Sequence, residues 1–255
     1  MYPSFTTPFT LTANKLLQDL CREEKLDCDD ELPELYRNRW ERWRNELPLL
    51  ERLNVDRCFK PSHFGEVKSR EINIFSDAST TGYGSAAYLR LCNGESRIHC
   101  FFLMGKARLA TIRVMAIPRL ELTAATVSIR LGEVLKKELH DPPDTVKYHT
   151  NSTTVLRYMM NNQKRFQFYV ANCVQIIRSL SHPSQWMYME TKSNPADDAS
   201  CGINTQALLE HSRWIKGPEF LWEPEEDWPQ QSLSLGKEII AIQKSRKLSQ
   251  NVQQQ

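Results

Sequence analysis

Three carboxylates and one amide stand at positions where side chains from separate elements can meet. Asp77 ends an apolar run that begins at Ile72, and Asn151 ends a second strand-like run. Glu121 falls in the first turn of a predicted helix, and Asp197 lies in a late loop. Hard cations such as Mg²⁺ prefer carboxylate oxygens, so the chemistry open to these residues, if the fold gathers them, is metal binding, with an uncharged amide as the fourth member.

Each of the four residues also has an ordinary structural role when it is taken alone. An Asp or Asn at a strand end usually forms a turn, which describes Asp77 and Asn151. A Glu early in a helix complements the helix dipole, as Glu121 can, and an Asp before a helix caps it, as Asp197 can. The metal hypothesis therefore depends on whether the surrounding elements bring the four side chains together.

The elements that must position these side chains lie between residue 71 and the late loop. Three strand-like runs joined by short turns predict an antiparallel meander, and the strand after the long helix is expected to pair in parallel with the first. The predicted strands are 72–77, 83–91, 97–104, 146–150 and 185–190, and the predicted helices are 118–140, 152–160, 165–180 and 205–211.

This order predicts an α/β fold with a mixed five-stranded sheet, three strands antiparallel and then two parallel, flanked by helices. Asp77 and Asn151 would then end neighbouring parallel strands. Ligand sites in open sheets collect outside the carboxyl ends of such strands. The predicted domain spans 71–212, with a helical segment at 1–70 and a polar, glutamine-rich linker or tail at 213–255.

The helical segment contains arginines interleaved with tryptophans between residues 37 and 44. One interpretation is a nucleic-acid contact, in which guanidinium groups pair with phosphates and indoles stack on bases. The other is an amphipathic helix, because Tyr36, Trp40, Trp43 and Leu47 fall on one helical face. The spacing favours the amphipathic helix. It starts within 29–33 and follows a shorter predicted helix at 11–20.

The composition is that of a soluble globular chain, with 40% hydrophobic and 25% charged residues among 255. A formal net charge of +2 gives no general preference for nucleic acid, so any cationic surface must be local. The apolar stretches are shorter than the roughly 20 residues that cross a bilayer, and we see no secretory signal. Seven cysteines without a Cys-x-x-Cys pair predict reduced thiols, in the cytoplasm or the nucleus.

Several short motifs occur in a fixed order along the chain. They are Thr7-Pro8-Phe9-Thr10, Leu32-Pro33, Arg39-Trp40-Glu41-Arg42-Trp43, Phe75-Ser76-Asp77-Ala78-Ser79, Tyr83-Gly84-Ser85-Ala86-Ala87-Tyr88-Leu89, Lys106-Ala107-Arg108, Ile117-Pro118-Arg119-Leu120-Glu121, Asn194-Pro195-Ala196-Asp197 and Trp214-Ile215-Lys216-Gly217-Pro218. In order and spacing they resemble the ribonuclease H-like region of Bel/Pao-type LTR retrotransposon polyproteins, together with its upstream connection segment.

The resemblance implies a site that binds two Mg²⁺ ions, with Mn²⁺ as a substitute, and cleaves the RNA strand of RNA–DNA hybrids. One ion would activate a water and the other would stabilise the leaving 3′ oxygen. Asp77 matches the first family Asp and would bridge both ions, Glu121 matches the helix Glu, and Asp197 matches the final Asp. Asn151 falls where the family pattern has Asp, and Cys201 replaces an expected Arg.

The amide at 151 lowers the charge of the cluster from about −4 to about −3, which weakens charge compensation of two cations and a phosphate. No acidic residue between 145 and 189 can substitute for it. We therefore expect impaired or absent cleavage with the fold retained. The alternatives are a non-catalytic module that binds hybrid or RNA, and an inactive element-derived relic. The absence of Tyr-x-Asp-Asp makes polymerase activity unexpected.

Overall fold

The computed structural model describes residues 4–23, 30–56, 58–113, 115–161, 166–210 and 213–229. A five-stranded sheet in the order β3-β2-β1-β4-β5 forms its centre. The strands are β1 (Val67–Ala78), β2 (Gly82–Asn93), β3 (Ile98–Leu109), β4 (Thr145–Thr150) and β5 (Trp186–Tyr188). The first three strands pair antiparallel, and β4 pairs in parallel with both β1 and β5. The predicted fold class is confirmed.

Helices lie before, between and after the strands. They are α1 (Thr7–Glu23), α2 (Glu34–Glu46), α3 (Ile117–Glu138), α4 (Thr153–Met160), α5 (Phe168–Leu180), α6 (Ala196–Cys201), α7 (Thr205–Glu210) and α8 (Arg213–Lys216). Among the described residues, none of these helices is long and apolar enough to cross a membrane. The helix boundaries predicted at 165 and 211 lie outside the described residues.

Both faces of the sheet are covered, which explains why β1 is buried along most of its length. Ile72 and Ile74 point to one face and pack with Leu122 of α3. Phe75 points to the other face, since successive strand residues alternate in direction. Burying each such side chain contributes roughly 1.5–3 kcal/mol, so the sheet is a firm base for the groups at its carboxyl edge.

The N-terminal helices rest against the second face of the sheet and against each other. Phe9 and Leu11 of α1 are almost fully buried. In α2, Tyr36 is buried, whereas Trp40 and Trp43 are half-buried and the nearby Leu47 is 38% exposed. The predicted amphipathic face is therefore covered over the first two turns of α2, and it is exposed to solvent at Leu47, after the helix ends.

Residues 213–229 pack against the sheet, although we expected a linker from 213 onward. Trp214 is fully buried against Gly105 of β3, and its indole Nε1 donates to the Phe5 carbonyl oxygen at 2.9 Å. Leu221 and Trp228 are also buried. The physical reason is that these spaced apolar side chains fill the second face of the sheet. Residues 230–255, which hold the expected glutamine-rich tail, lie outside the described part of the chain.

Candidate active site

Asp77 and Asn151 lie side by side at the carboxyl ends of β1 and β4. The parallel register pairs Ser76 with Thr150, so Asp77, which is still paired with Gly84 of β2, lies beside Asn151, the first residue after β4. Asp77 is 5% exposed and accepts a 2.7 Å hydrogen bond from the Ser200 hydroxyl. The predicted juxtaposition of these two strand ends is confirmed.

The amide of Asn151 has two unequal ends. Its Nδ2 donates to Thr191 Oγ1 at 3.0 Å, and its hydrogen bonding also lowers the pKa of Asp77. Its Oδ1 is buried and has no hydrogen-bond partner among the described residues. An Asp here would place a second negative charge beside Asp77, whereas the amide supplies a donor.

Glu121 reaches the same corner through Ser152. The Ser152 hydroxyl donates to Glu121 Oε2 at 2.6 Å and accepts from the Val155 backbone N–H at 3.1 Å. The same serine therefore caps α4 and also binds the Glu121 carboxylate. Because α3 begins at Ile117, Glu121 is the fifth residue of that helix and not part of its first turn.

Asp197 is held by a residue that the sequence analysis missed. The guanidinium of Arg213 donates from Nη2 to Asp197 Oδ2 at 2.8 Å. It also forms a two-pronged contact with Asp198, at 3.2 Å and 3.1 Å. A forked guanidinium matches a carboxylate well, so Arg213 already supplies a cation to this corner. Its only sequence cue was its position directly before the Trp214 motif.

Cys201 lies at the end of α6, on the same side as Asp197. Its Sγ is 3.5 Å from Asp197 Oδ1. Burial raises the pKa of this thiol, with the nearby Asp197 charge acting in the same direction. The side chain is therefore neutral at physiological pH, and the positive charge beside Asp197 comes from Arg213.

Helix α6 joins Asp197 to Asp77, because Ser200 of the same helix binds the Asp77 carboxylate. Burial raises the pKa of Asp77, and the Asp197 charge adds to this, against hydrogen bonds from Ser200 and Asn151. Burial also raises the pKa of Glu121, with the Asp77 charge adding to it and Ser152 opposing. The Asp77 charge therefore interacts with those of Asp197 and Glu121.

These donors suit two cations poorly. Among the described residues, no group of three or more His, Cys, Asp or Glu side chains lies close enough to hold a metal ion. Asp197 is already paired with Arg213. The carboxylates that remain are Asp77 and Glu121, which accept hydrogen bonds from Ser200 and Ser152. The assignment of Asp77, Glu121 and Asp197 as metal ligands stays a prediction.

Solved structures with detectable similarity include ribonuclease H domains. The N-terminal RNase H domain of Rv2228c from Mycobacterium tuberculosis is 13% identical with a TM-score of 0.35, covering 52% of this chain and 91% of that one. RNase H1 from Halobacterium salinarum is 10% identical with a TM-score of 0.30, covering 51% and 92%. LC11-RNase H1, solved in complex with an RNA/DNA hybrid, is 13% identical with a TM-score of 0.30, covering 55% and 99%.

A search of curated proteins gave no match. A family profile, described as "Pao retrotransposon-like RNaseH-like domain", matches residues 3–152. The match spans 150 of the 255 residues and includes Asp77, Glu121 and Asn151, whereas Asp197 lies beyond its end. It also covers α1 and α2, the segment in which the resemblance to a connection region was seen. The chain belongs to the family of Pao retrotransposon RNase H-like domains.

Proposed function

We propose that this chain is an RNase H-like domain that binds RNA–DNA hybrids and cleaves their RNA strand weakly or not at all. The observation that carries the proposal is the pairing of Asp77 with Asn151 at the ends of β1 and β4, where the family resemblance leads us to expect two carboxylates. The fold is retained, and Asp77, Glu121 and Asp197 are present at the positions that match the family pattern, whereas Asn151 and Cys201 depart from it.

With Asn151 uncharged and Asp197 paired with Arg213, the carboxylates left for a divalent cation are Asp77 and Glu121. They would hold Mg²⁺ or Mn²⁺, which when bound polarises a phosphoryl oxygen and lowers the pKa of a bound water. Asp197 is engaged by Arg213 and would have to be released before it could take part. Hydrolysis that depends on two cations is therefore expected to be strongly reduced.

The protein's own residues perform the positioning. Ser200 fixes the Asp77 carboxylate from α6, and Ser152 fixes Glu121 from the start of α4. Because the pKa of each of these carboxyl groups is raised, a nearby cation would favour their charged forms. The site is thus arranged to respond to a cation, but it has one charge too few.

A second candidate function is a binding module without any catalysis. Asn151 favours this alternative, because its hydrogen bond to Asp77 lowers the pKa of that carboxyl and stabilises its charged form without a cation. Hybrids differ from duplex DNA in helix shape and in their 2′-hydroxyl groups, so selective binding requires no cleavage. An inactive relic would show neither binding nor cleavage.

The test is a labelled RNA–DNA hybrid incubated with the unmutated chain, Asn151→Asp, and Asn151→Asp combined with Asp77→Ala, in Mg²⁺ and in Mn²⁺. We expect weak or absent cleavage by the unmutated chain, at least a tenfold increase in Asn151→Asp, and loss of that increase in the double variant. A tenfold gain corresponds to about 1.4 kcal/mol of transition-state stabilisation.

Binding is measured separately, by fluorescence anisotropy without divalent cations at several salt concentrations. Salt-sensitive binding of the hybrid by the unmutated chain supports the proposal. Robust cleavage by the unmutated chain that Asp77→Ala abolishes would refute impairment, and the absence of binding at low salt would leave only the relic.

A further inference from the structure

A pocket of about 270 Å³ lies between α1, α2 and the loop that follows α6. Arg39, Arg42 and Trp43 line it from α2, together with Glu46 and Asn204. The volume is below the roughly 300–1,000 Å³ of a drug-sized ligand site, so it suits a single chemical group at the edge of a larger ligand. Asp77, Glu121, Asn151 and Asp197 are not among its lining residues.

Three aromatic rings form a stack beside this pocket. Trp43 stacks on Phe9 with ring centroids 5.0 Å apart and planes at 15°, and Trp40 stacks on Trp43 at 5.1 Å and 28°. The Trp43 indole Nε1 donates to the Phe9 carbonyl oxygen at 3.2 Å, which fixes the middle ring. Trp40 ends the stack and is half-buried, so part of its surface is exposed to solvent.

The two arginines of the pocket are exposed to solvent. Arg39 is exposed, forms an ion pair with Asp19 at 3.8 Å, and its guanidinium lies over the Tyr36 ring, 5.9 Å from the ring centroid. Arg42 is exposed and forms no ion pair with any described residue. Glu46 also lines the pocket and keeps its negative charge, and its Oε2 accepts from the Thr205 backbone N–H at 2.9 Å. Both guanidinium groups are exposed, so an external anion can reach Arg42 directly and Arg39 in competition with Asp19.

We infer that this pocket is a subsite for single-stranded nucleic acid, in which Arg39 and Arg42 bind phosphate and a base stacks on Trp40. Cations beside a half-exposed aromatic ring match the way proteins bind single strands without reading their sequence. The chemistry also disfavours an apolar helix as the occupant, since two guanidinium groups would be desolvated without a partner. This inference rests on the proposed function, because it adds a second contact to a hybrid-binding domain.

The pocket lies close enough to the candidate active site for one nucleic-acid strand to contact both. Asp197 is the second residue of α6, and Asn204 of the pocket follows seven residues later. Seven residues span at most about 25 Å, the length of about seven nucleotides at 3.4 Å each. A hybrid bound at the carboxylates could thus extend an unpaired end across Trp40.

The test compares two double variants of the same helix with the same change of charge. Arg39→Gln with Arg42→Gln removes the pocket cations, and Arg37→Gln with Arg44→Gln removes two exposed cations that do not line the pocket. Fluorescence anisotropy is measured for a blunt hybrid, a hybrid with a single-stranded extension and a single-stranded oligonucleotide. Thermal unfolding confirms that each variant is folded.

We expect the pocket variant to lose about tenfold in affinity for the single strand and the extended hybrid, with a salt slope smaller by about 1.4 for two lost phosphate contacts. The control pair should lose less than about threefold, and Trp40→Leu should weaken single-strand binding without changing the salt slope. Equal losses in both pairs, or no loss in either, would overturn the inference.

Failure of the proposed function is distinguishable from failure of this inference. If the unmutated chain does not bind the blunt hybrid but binds the single strand through Arg39 and Arg42, the subsite is supported and the proposed hybrid binding is refuted. If the blunt hybrid binds and the single-stranded extension does not increase the affinity in any variant, hybrid binding is supported and the subsite is refuted. Binding of neither nucleic acid overturns both.

Discussion

The guanidinium of Arg213 lies 2.8 Å from Asp197 Oδ2 and joins the last corner of the acidic site to the C-terminal segment. Arg213 and Asp197 are 16 residues apart in the sequence, and the same arginine also donates to the Asp198 carboxylate. Arg213 therefore pairs with the carboxylate of Asp197, which the family resemblance makes a ligand for a divalent metal ion. Any divalent ion that needs Asp197 must compete with this ion pair.

Replacement of Arg213 by Gln should lower the stability of the metal-free chain by about 1–3 kcal/mol, because hydrogen bonds between charged groups are lost and two carboxylates are left near each other. It should also increase the stabilisation by Mg²⁺, since Asp197 is released. Urea unfolding with and without Mg²⁺ measures both effects.

Arg213→Lys is the matched control, because it keeps the charge and loses the fork that contacts both carboxylates. It should fall between the unmutated chain and Arg213→Gln. Equal stability of all three chains would show that the ion pair contributes nothing.

The change Asn151→Asp should destabilise the chain in the absence of divalent cations. It removes the donor that lowers the pKa of Asp77 and adds a negative charge beside it. A like charge at this position costs about 1 kcal/mol, or about 2–4 °C in Tm for a domain of this size. Differential scanning calorimetry in EDTA and in millimolar Mg²⁺ should show the loss and then its recovery by Mg²⁺.

Asn151→Ala controls for the lost hydrogen bonds without adding charge, and its Tm should not recover on addition of Mg²⁺. A Tm of Asn151→Asp that is equal to or higher than that of the unmutated chain in EDTA would contradict the electrostatic explanation.

The buried His149 should make the fold sensitive to mild acid. Its ring stacks on Phe75 at 4.5 Å, its Nε2 is 2.7 Å from Asn73 Oδ1, and burial, with the Lys147 charge acting in the same direction, lowers its pKa to about 3. Because the unfolded histidine titrates near pH 6.5, the unfolded state binds an extra proton between that pH and the folded value. Stability should therefore fall as the pH falls below 6.5, by about 2 kcal/mol at pH 5.

Urea midpoints at pH 7 and pH 5 measure this fall, and His149→Gln isolates it, since the variant has no ring to protonate. The drop between the two pH values should be smaller in the variant by about 2 kcal/mol. The same drop in both proteins would assign acid sensitivity to other groups.

Gly105→Ala should destabilise the chain, because a Cβ at this position would overlap the indole ring of Trp214. Overpacking of this kind costs about 1–3 kcal/mol. Gly94→Ala is the control: its added Cβ meets only the flexible Lys68 side chain, at 3.2 Å, so its effect should be much smaller. Chemical unfolding compares the two, and equal midpoints would show that Trp214 is not seated on β3 in solution.

Much of the central sheet was predictable, because its strands and α3 carry strong local patterns. Alternating and continuous apolar runs marked β1 and β2, and the crossover through α3 required β4 to lie parallel to β1. That pairing alone placed Asp77 beside Asn151. Ser152 was also predictable as a helix cap, since capping is a local interaction.

The parts that escaped prediction depend on contacts between distant residues. Nothing near Arg213 indicates that it will meet Asp197, and the polar composition of the C-terminal stretch hid the burial of Trp214 and Trp228. The orientation of the Asn151 amide, with one end bonded and the other unpartnered, likewise follows from neighbours contributed by other segments.

The packing of Trp214 against Gly105 has a practical consequence for the design of truncated variants of this protein. A version cut after residue 212 would lose the indole that fills this depression and would expose Tyr88 and Phe102, which contact or surround it. Newly exposed aromatic surface of this kind promotes aggregation. Recombinant fragments should therefore extend through Trp228, or their insolubility will be mistaken for a defect of the nuclease fold itself.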